Sequence, residues 1–328
     1  MRLWDIYSPA IPPFIMEAME SPEMQRLQNV GMNCGCEYTS FPLFQRIHEP
    51  YSRFDHSVGV ALLVWRFTGD IRQTLSGLYH DIATPCFAHV VDFMLGDNMT
   101  QEATEDGTRL MIDQSTSIQG ILRKHGLSTD DVADYHMYPI ADNDSPCLSA
   151  DRLEYTLGNL VNYRFITHDR VKWMLDALAV LQDEDGQEEI GFVSKEEAVA
   201  FANGALDMGR IYVSEPDRFS MQMLAELLAR AKDADVIVME DLWQDEPYLI
   251  DKLCRESRFA DEWHRYRQYR DIIHRDGGAI VHAKKRYIDP LLCGQGRLSQ
   301  VDAAFRERIV LFLAESQNEP MIGVTSPI

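Results

Sequence analysis

The sequence predicts an almost wholly α-helical fold, with a small β-hairpin or short strands confined to the C-terminal half. Apolar residues recur at helical spacing over most of the 328 residues, and helix start and stop signals bracket the runs. Strand-like runs occur at only two places, 189–193 and 279–288, the second after Gly277-Gly278. An apolar share of 45% is that of an ordinary globular chain and argues against disorder.

Taken in order, Ser21-Pro22-Glu23 supplies an N-cap, a proline at the first helical position and an acidic first turn. A helix follows over about 55–67, with Val58, Leu62 and Trp65 among its apolar positions, and another over 71–81. Pro85 restarts a short helix that carries His89, Val91, Asp92 and Leu95. Further helices are expected over 101–112 and 116–124, the latter closed by Gly126. A polar loop covers 142–146, and Asp151 opens a helix toward Val161. Beyond it the pattern gives helices over 169–181, 194–208, 216–231, 258–270 and about 301–314, with Ser194 and Glu197 spaced as a capping box. Residues 317–328 read as a frayed tail, and no repeat or linker divides the chain, so one domain over 1–328 is expected.

The formal net charge is −21. A chain this acidic is a poor nucleic-acid scaffold and a poor partner for anionic membranes, since both need a surplus of Lys and Arg. A small anionic substrate requires a local arginine cluster that overrides the global field. The N-terminal residues lack an apolar h-region, and no run approaches the length of a membrane span. Cys34 and Cys36 are close-set, while Cys86, Cys147, Cys254 and Cys293 are scattered. Reduced thiols in a cytoplasm are expected, and with no second cysteine pair the Cys34-Gly35-Cys36 run is a weak metal motif.

The chemistry concentrates at His80-Asp81, with His56 upstream in Arg53-Phe54-Asp55-His56 and Asp151 downstream. Two imidazoles and two carboxylates suit a divalent transition metal, and such an ion makes water nucleophilic near neutral pH. Adjacent helical residues point about 100° apart, so His80 and Asp81 reach one ion only at a helix end or beside a cleft. On the residues alone, a buried histidine and a capping aspartate explain the dipeptide equally well. His89 and Asp92, spaced i, i+3, share a helix face, which suits a carboxylate-oriented acid or base as well as a plain surface pair.

The strings RFDHSVGVA, LYHDIATPCFAH and ADRLEYTLGN, in that order, resemble the HD-domain metal-dependent phosphohydrolases. The resemblance is closest to the deoxynucleoside triphosphate triphosphohydrolase branch, and weaker similarity extends through MGRIYVSEPDRFSMQML. It implies an HD-type helical fold, with a metal-site core over about 20–165 and a helical extension over 166–328. It implies one divalent metal ion (Mn, Fe, Ni, Co, Zn or Mg) on His56, His80, Asp81 and Asp151. It further implies Arg53 and Arg152 at substrate phosphates, Tyr155 beside a sugar, and His89 with Asp92 in the catalytic apparatus. A small phosphorylated substrate, a nucleotide or a relative of one, and a homo-oligomer follow from the same likeness.

The pattern breaks in places. The family run H-D-I-G-H-x-P-F-x-H has Ala83 and Thr84 in place of its glycine and middle histidine. Gln101 stands for a further catalytic histidine, Asn159 for an aspartate near the sugar, and Met32 for a glutamine at the substrate. Loss of one acid or base costs about 10²–10⁴-fold in rate. The expected activity is therefore a phosphomonoesterase or a phosphohydrolase of another nucleotide-like substrate. The alternatives are a catalytically weak nucleotide-binding or sensing protein and a true triphosphohydrolase. His125 and His136 are candidates to fill the vacancy. Lys284 and Arg286 share a strand face that suits a phosphate entrance or a neighbouring subunit, though a solvated face explains them too.

Overall fold

The structure, a computed structural model, describes residues 2–47, 49–96 and 107–325. It is predominantly helical, with a few short strands that all lie beyond residue 177. Two apolar clusters form the interior. One surrounds the Arg53–Thr68 helix, whose Val58, Val60, Leu62, Leu63 and Val64 are fully buried. The other gathers around Phe87, Leu224, Leu228 and Trp263. The Arg53–Thr68 helix belongs to the first cluster and the short His89–Met94 helix packs on the second, against Glu215–Asp233. Their meeting line is where the polar constellation gathers.

Local chemistry explains the central helices. Ser52 accepts from the Asp55 N–H while the Asp55 carboxylate accepts from the Ser52 N–H, a closed capping box that starts the Arg53–Thr68 helix. Asp70 caps Ile71–Tyr79, its carboxylate accepting from the Arg72 and Gln73 N–H groups. Ser149 caps Ala150–Asn162. The last helix crosses Gly59 so closely that a Cβ there would lie 2.6 Å from Cγ of Glu154, so the approach depends on glycine.

Four strands form one small sheet. β1 (Leu178–Gln182) pairs antiparallel with β2 (Glu188–Phe192). β2 runs parallel to β4 (Leu291–Leu292), which pairs antiparallel with β5 (Gly296–Arg297). β3 (Asp271–Ala279) and β6 (Met321–Val324) form a separate antiparallel pair.

Several sequence expectations are corrected. The helix expected over 169–181 ends at Asp176, and 178–182 is β1, turned into β2 by Asp183, whose carboxylate accepts from the Asp185 and Gln187 N–H groups. The strand expected over 279–288 is not one: Gly277-Gly278 is a bulge inside β3, where Gly278 lets the Met321 backbone pass. Residues 280–290 then run without a ladder, and Gln317 satisfies both backbone groups of Ala283. The tail is not frayed through 321–324, because those residues are β6. The Ser194–Glu197 box is half made: Ser194 accepts from the Glu197 N–H, while the Glu197 carboxylate pairs with Arg170 at 2.8 Å. Residues 101–106, including Gln101, lie outside the described residues.

Candidate metal centre

The helix that carries His80 and Asp81 stops at Tyr79. The dipeptide therefore sits on the helix end, the one place where both side chains can serve one centre. Arg26 fixes the turn that follows, donating to the carbonyls of Ile82 and Thr84. His56 reaches the same spot from the first turn of its helix, and Asp151 from the first turn of Ala150–Asn162.

His56 Nε2, His80 Nε2 and Asp151 Oδ1 all lie within 4.8 Å of one another. The two Nε2 atoms are 3.2 Å apart, and Asp151 Oδ1 is 3.0 Å from one and 3.6 Å from the other. Each ring is oriented from behind. His56 Nδ1 lies 2.6 Å from Glu154 Oε2, and His80 Nδ1 lies 2.7 Å from the Gly77 carbonyl oxygen. With both Nδ1 protons spent on these acceptors, both Nε2 lone pairs turn inward, the arrangement that metal-binding imidazoles adopt. Two nitrogens bound roughly 2.0–2.1 Å from one ion sit about 3.0–3.4 Å apart, so the spacing fits a cation.

Electrostatics agree with the geometry. Burial opposes a charge on His56, yet its bonds to Asp151 and Glu154 outweigh that and raise its pKa to about 10. The surrounding groups therefore hold positive charge at this point. Burial also opposes ionisation of Asp151, but the contact with His56 keeps it below the usual carboxylate range. Glu154 is pushed up by burial and accepts from the hydroxyls of Tyr7 and Tyr51 as well as from His56. The sequence contained a signal for it, since Glu154 follows Asp151 at i+3 on one helix face.

Asp81 stands beside this trio. Its Oδ2 is 3.5 Å from His80 Nε2 and 3.8 Å from His56 Nε2, and it accepts from Arg53 Nη1 at 2.7 Å. Its Oδ1 accepts from the Thr84 hydroxyl at 2.8 Å. Thr84, where the family run has histidine, thus orients an aspartate. Arg53 outweighs burial and holds Asp81 well below the usual carboxylate range.

His89 lies across the site, 2.9 Å through Nδ1 from Asp92 Oδ2. Its side chain is 37% exposed and that of Asp92 is 1% exposed, so the carboxylate is the buried anchor and the ring the accessible partner. Desolvation, with Arg53 and Arg286 nearby, lowers the His89 pKa despite Asp92. The turn before it is strained: Phe87 and Ala88 have φ of 60° and 45°, a region that non-glycine residues rarely adopt.

A cavity of about 450 Å³ opens over these groups. Arg53, His80, Asp81 and His89 also line an adjoining cavity of about 360 Å³, with Thr84. Tyr155 lines the larger one, its ring 6.5 Å from that of His56. Arg152 lines it too, but its guanidinium is spent on the 142–147 loop, donating to Asp142, Asn143 and Cys147. Lys284 and Arg286 line the same cavity, on an irregular segment rather than a strand. Lys285 beside them is tied to the carbonyls of Leu313 and Glu315. His136 lines both cavities and lies 2.9 Å from Asp142, whereas His125 packs on Phe14. Glu154, and Asp217 in the lining of the larger cavity, were not singled out from the sequence.

The chain is similar to a metal-dependent phosphohydrolase. Over 154 residues it is 31% identical to the metal-dependent phosphohydrolase cns2 of Cordyceps militaris, a match covering 46% of this chain and 41% of that protein. Over 207 residues it is 29% identical to the uncharacterized protein YdhJ of Bacillus subtilis, covering 62% of this chain and 61% of the relative. The chain thus spans less than two thirds of either curated relative. No protein-family model matches it. A hypothetical protein from Aquifex aeolicus, solved at 2.0 Å, shares the fold with a TM-score of 0.60 at 16% identity, covering 95% of this chain and 91% of that one. His56, His80 and Asp151 are the group of described residues that could hold a metal ion. Among the described residues, no helix is long and apolar enough to cross a membrane.

Proposed function

We propose that this chain is a metal-dependent phosphohydrolase acting on a small phosphate ester, a nucleotide or a compound like one. The observation that carries the reading is the pair of histidines with inward Nε2 atoms, 3.2 Å apart, at the foot of a cavity lined by guanidinium groups. His56, His80 and Asp151 would hold the ion, with Asp81 alongside. A divalent cation bound there supplies Lewis-acid chemistry, lowering the pKa of water and offsetting charge on a phosphoryl group.

The chain's own residues do the rest. Arg53 spends Nη1 on Asp81 and lines the cavity, and among the described residues no hydrogen bond engages its Nη2, which is left to donate to a phosphoryl oxygen. Arg286 adds a second guanidinium near His89. Arg152 contributes charge rather than free donors. Tyr155 forms the wall against which the organic part of the ester lies. Burial lowers the His89 pKa and its Nδ1–H donates to Asp92, so Nε2 is free to take the proton that the attacking water loses as its oxygen bonds to phosphorus, and to pass that proton to the ester oxygen as the P–O bond breaks. His89→Gln is expected to lower kcat by about 10²–10⁴-fold.

The test is product analysis. Protein reconstituted separately with Mn, Fe, Ni, Co, Zn and Mg is incubated with nucleoside mono- and triphosphates, with Asp81→Ala as control. Free phosphate and nucleoside from the monophosphates are expected. Tripolyphosphate from deoxynucleotides would assign the triphosphohydrolase branch instead. Tight binding without turnover above the control would move the reading to a nucleotide-binding protein.

A further inference from the structure

The loop that joins His80-Asp81 to His89 runs in turns, and a segment far along the chain braces it from behind. The Cys86 N–H donates to the Leu242 carbonyl at 2.7 Å. The Trp243 indole N–H donates to the Ala83 carbonyl at 3.0 Å. The Gln244 carbonyl accepts from Arg26 Nη1 at 3.0 Å, while Arg26 Nη2 holds the carbonyls of Ile82 and Thr84. Glu246, 3% exposed, ends the brace. Its Oε1 accepts from the Gly31 N–H and its Oε2 from the Tyr38 hydroxyl, both at 2.8 Å. Gly31 pairs with Ser52, the N-cap of Arg53–Thr68. The Tyr38 ring stands edge-on to Phe87, 6.1 Å between centres, and the Trp263 ring packs on both. Residues 242–246 thus join the start of the helix that carries Arg53 and His56 to the turn that precedes His89.

The two ends are not equally firm. Arg53–Thr68 has its own capping box and buried apolar residues along its length. The turn at Phe87-Ala88 has positive φ at both residues, and such backbone persists where its surroundings over-determine it. Asp92 holds the His89 ring, but Asp92 rides on the same short helix, His89–Met94, so it fixes the ring relative to that helix and not to His80 and Asp81. We propose that Trp243 and Glu246 are positioning residues for His89, setting through the 82–88 loop where its ring stands relative to His80 and Asp81. Neither is among the residues that line the two cavities, so their effect reaches the site through the loop. The catalytic consequence rests on the hydrolase reading; the placement of the ring does not.

Trp243→Phe removes the indole donor and keeps an aromatic ring. Glu246→Gln keeps the size of the side chain and removes its charge and one acceptor. In the Mn-reconstituted protein acting on adenosine monophosphate, each variant is expected to lower kcat about 10- to 100-fold, the scale of a displacement of about 1 Å at a reacting group, with Mn affinity unchanged. Double variants with His89→Gln decide the route: when the ring is absent, neither substitution lowers kcat further. Losses that add to that of His89→Gln, or wild-type kcat in both single variants, overturn the proposal. So does a fall in Mn affinity that accounts for the lost activity, the mark of general damage to the centre. A second readout needs no turnover. The His89 C2–H proton resonance, assigned by its loss in His89→Gln and recorded on Zn-reconstituted protein without substrate, is expected to shift in both variants. A shifted resonance in a protein that hydrolyses nothing keeps the placement and removes the hydrolase reading; hydrolysis with a resonance that neither variant moves does the reverse.

Discussion

At the scale of single residues, the geometry of the centre depends on Glu154 as much as on His56, His80 and Asp151. Glu154 fixes the His56 tautomer, and two tyrosine hydroxyls fix Glu154. Glu154→Gln is expected to weaken metal binding by about 10–100-fold, read by metal titration of the purified protein; unchanged affinity would show that His56 is oriented by other means. Glu37 offers a pH test away from the metal. Burial, with Glu246 nearby, raises it from the ordinary 4.5 to about 8. The folded state therefore holds a proton that the unfolded chain has lost, and the slope of stability with pH is negative in that interval. The stability from Glu37 is fully present below about pH 4.5 and is lost as pH rises to about 8. Urea midpoints measured from pH 5 to 9 should fall in the wild type and fall less in Glu37→Gln; parallel curves would refute the assignment.

At the scale of elements, the close crossing of Arg53–Thr68 and Ala150–Asn162 ties stability to the site. A Cβ at Gly59 would meet Cγ and Cδ of Glu154 at 2.6 and 2.7 Å, and Glu154 cannot swing away without releasing His56. Gly59→Ala is expected to cost about 1–3 kcal/mol, as overpacking does, and to weaken metal binding together with stability. A melting curve and a metal titration on one variant decide it, and a loss of stability with intact metal affinity would uncouple them. Elements of this kind were largely legible in the sequence. Capped helices with a clear apolar stripe, such as Ile71–Tyr79 and Thr116–Lys124, begin where their signals put them. The errors fell where tertiary partners decide. Residues 178–182 continue a helical pattern, yet the Asp183 turn folds them onto β2. Residues 280–288 have strand composition but no neighbouring edge to pair with. At the site, the order of His56, His80, Asp81 and Asp151 could be read because it follows the chain, and the fold brings the four together. That Arg152 is consumed by the 142–147 loop depends on how that loop folds back on the helix and could not be read.

At the scale of the whole molecule, a net charge of −21 surrounds a cavity that contains Arg53 and Arg286. The two fields have different ranges. The Debye length is about 30 Å at 0.01 M salt and about 8 Å at 0.15 M, so at low salt an approaching phosphate dianion feels the whole acidic surface and is repelled. Near physiological salt that distant repulsion is screened, while contacts with guanidinium groups inside the cavity persist because partly buried pairs are screened less. At still higher salt those contacts weaken as well. The expected kcat/KM for a dianionic ester therefore rises from roughly 0.01 to 0.1 M salt and declines beyond it. Arg286→Gln should keep the rise, which belongs to the global charge, and flatten the decline, which belongs to the local cations. Steady-state kinetics across a salt series reads both limbs. A monotonic fall from the lowest salt would mean that the arginine cluster governs approach as well as binding, and that the acidic surface is turned away from the cavity mouth.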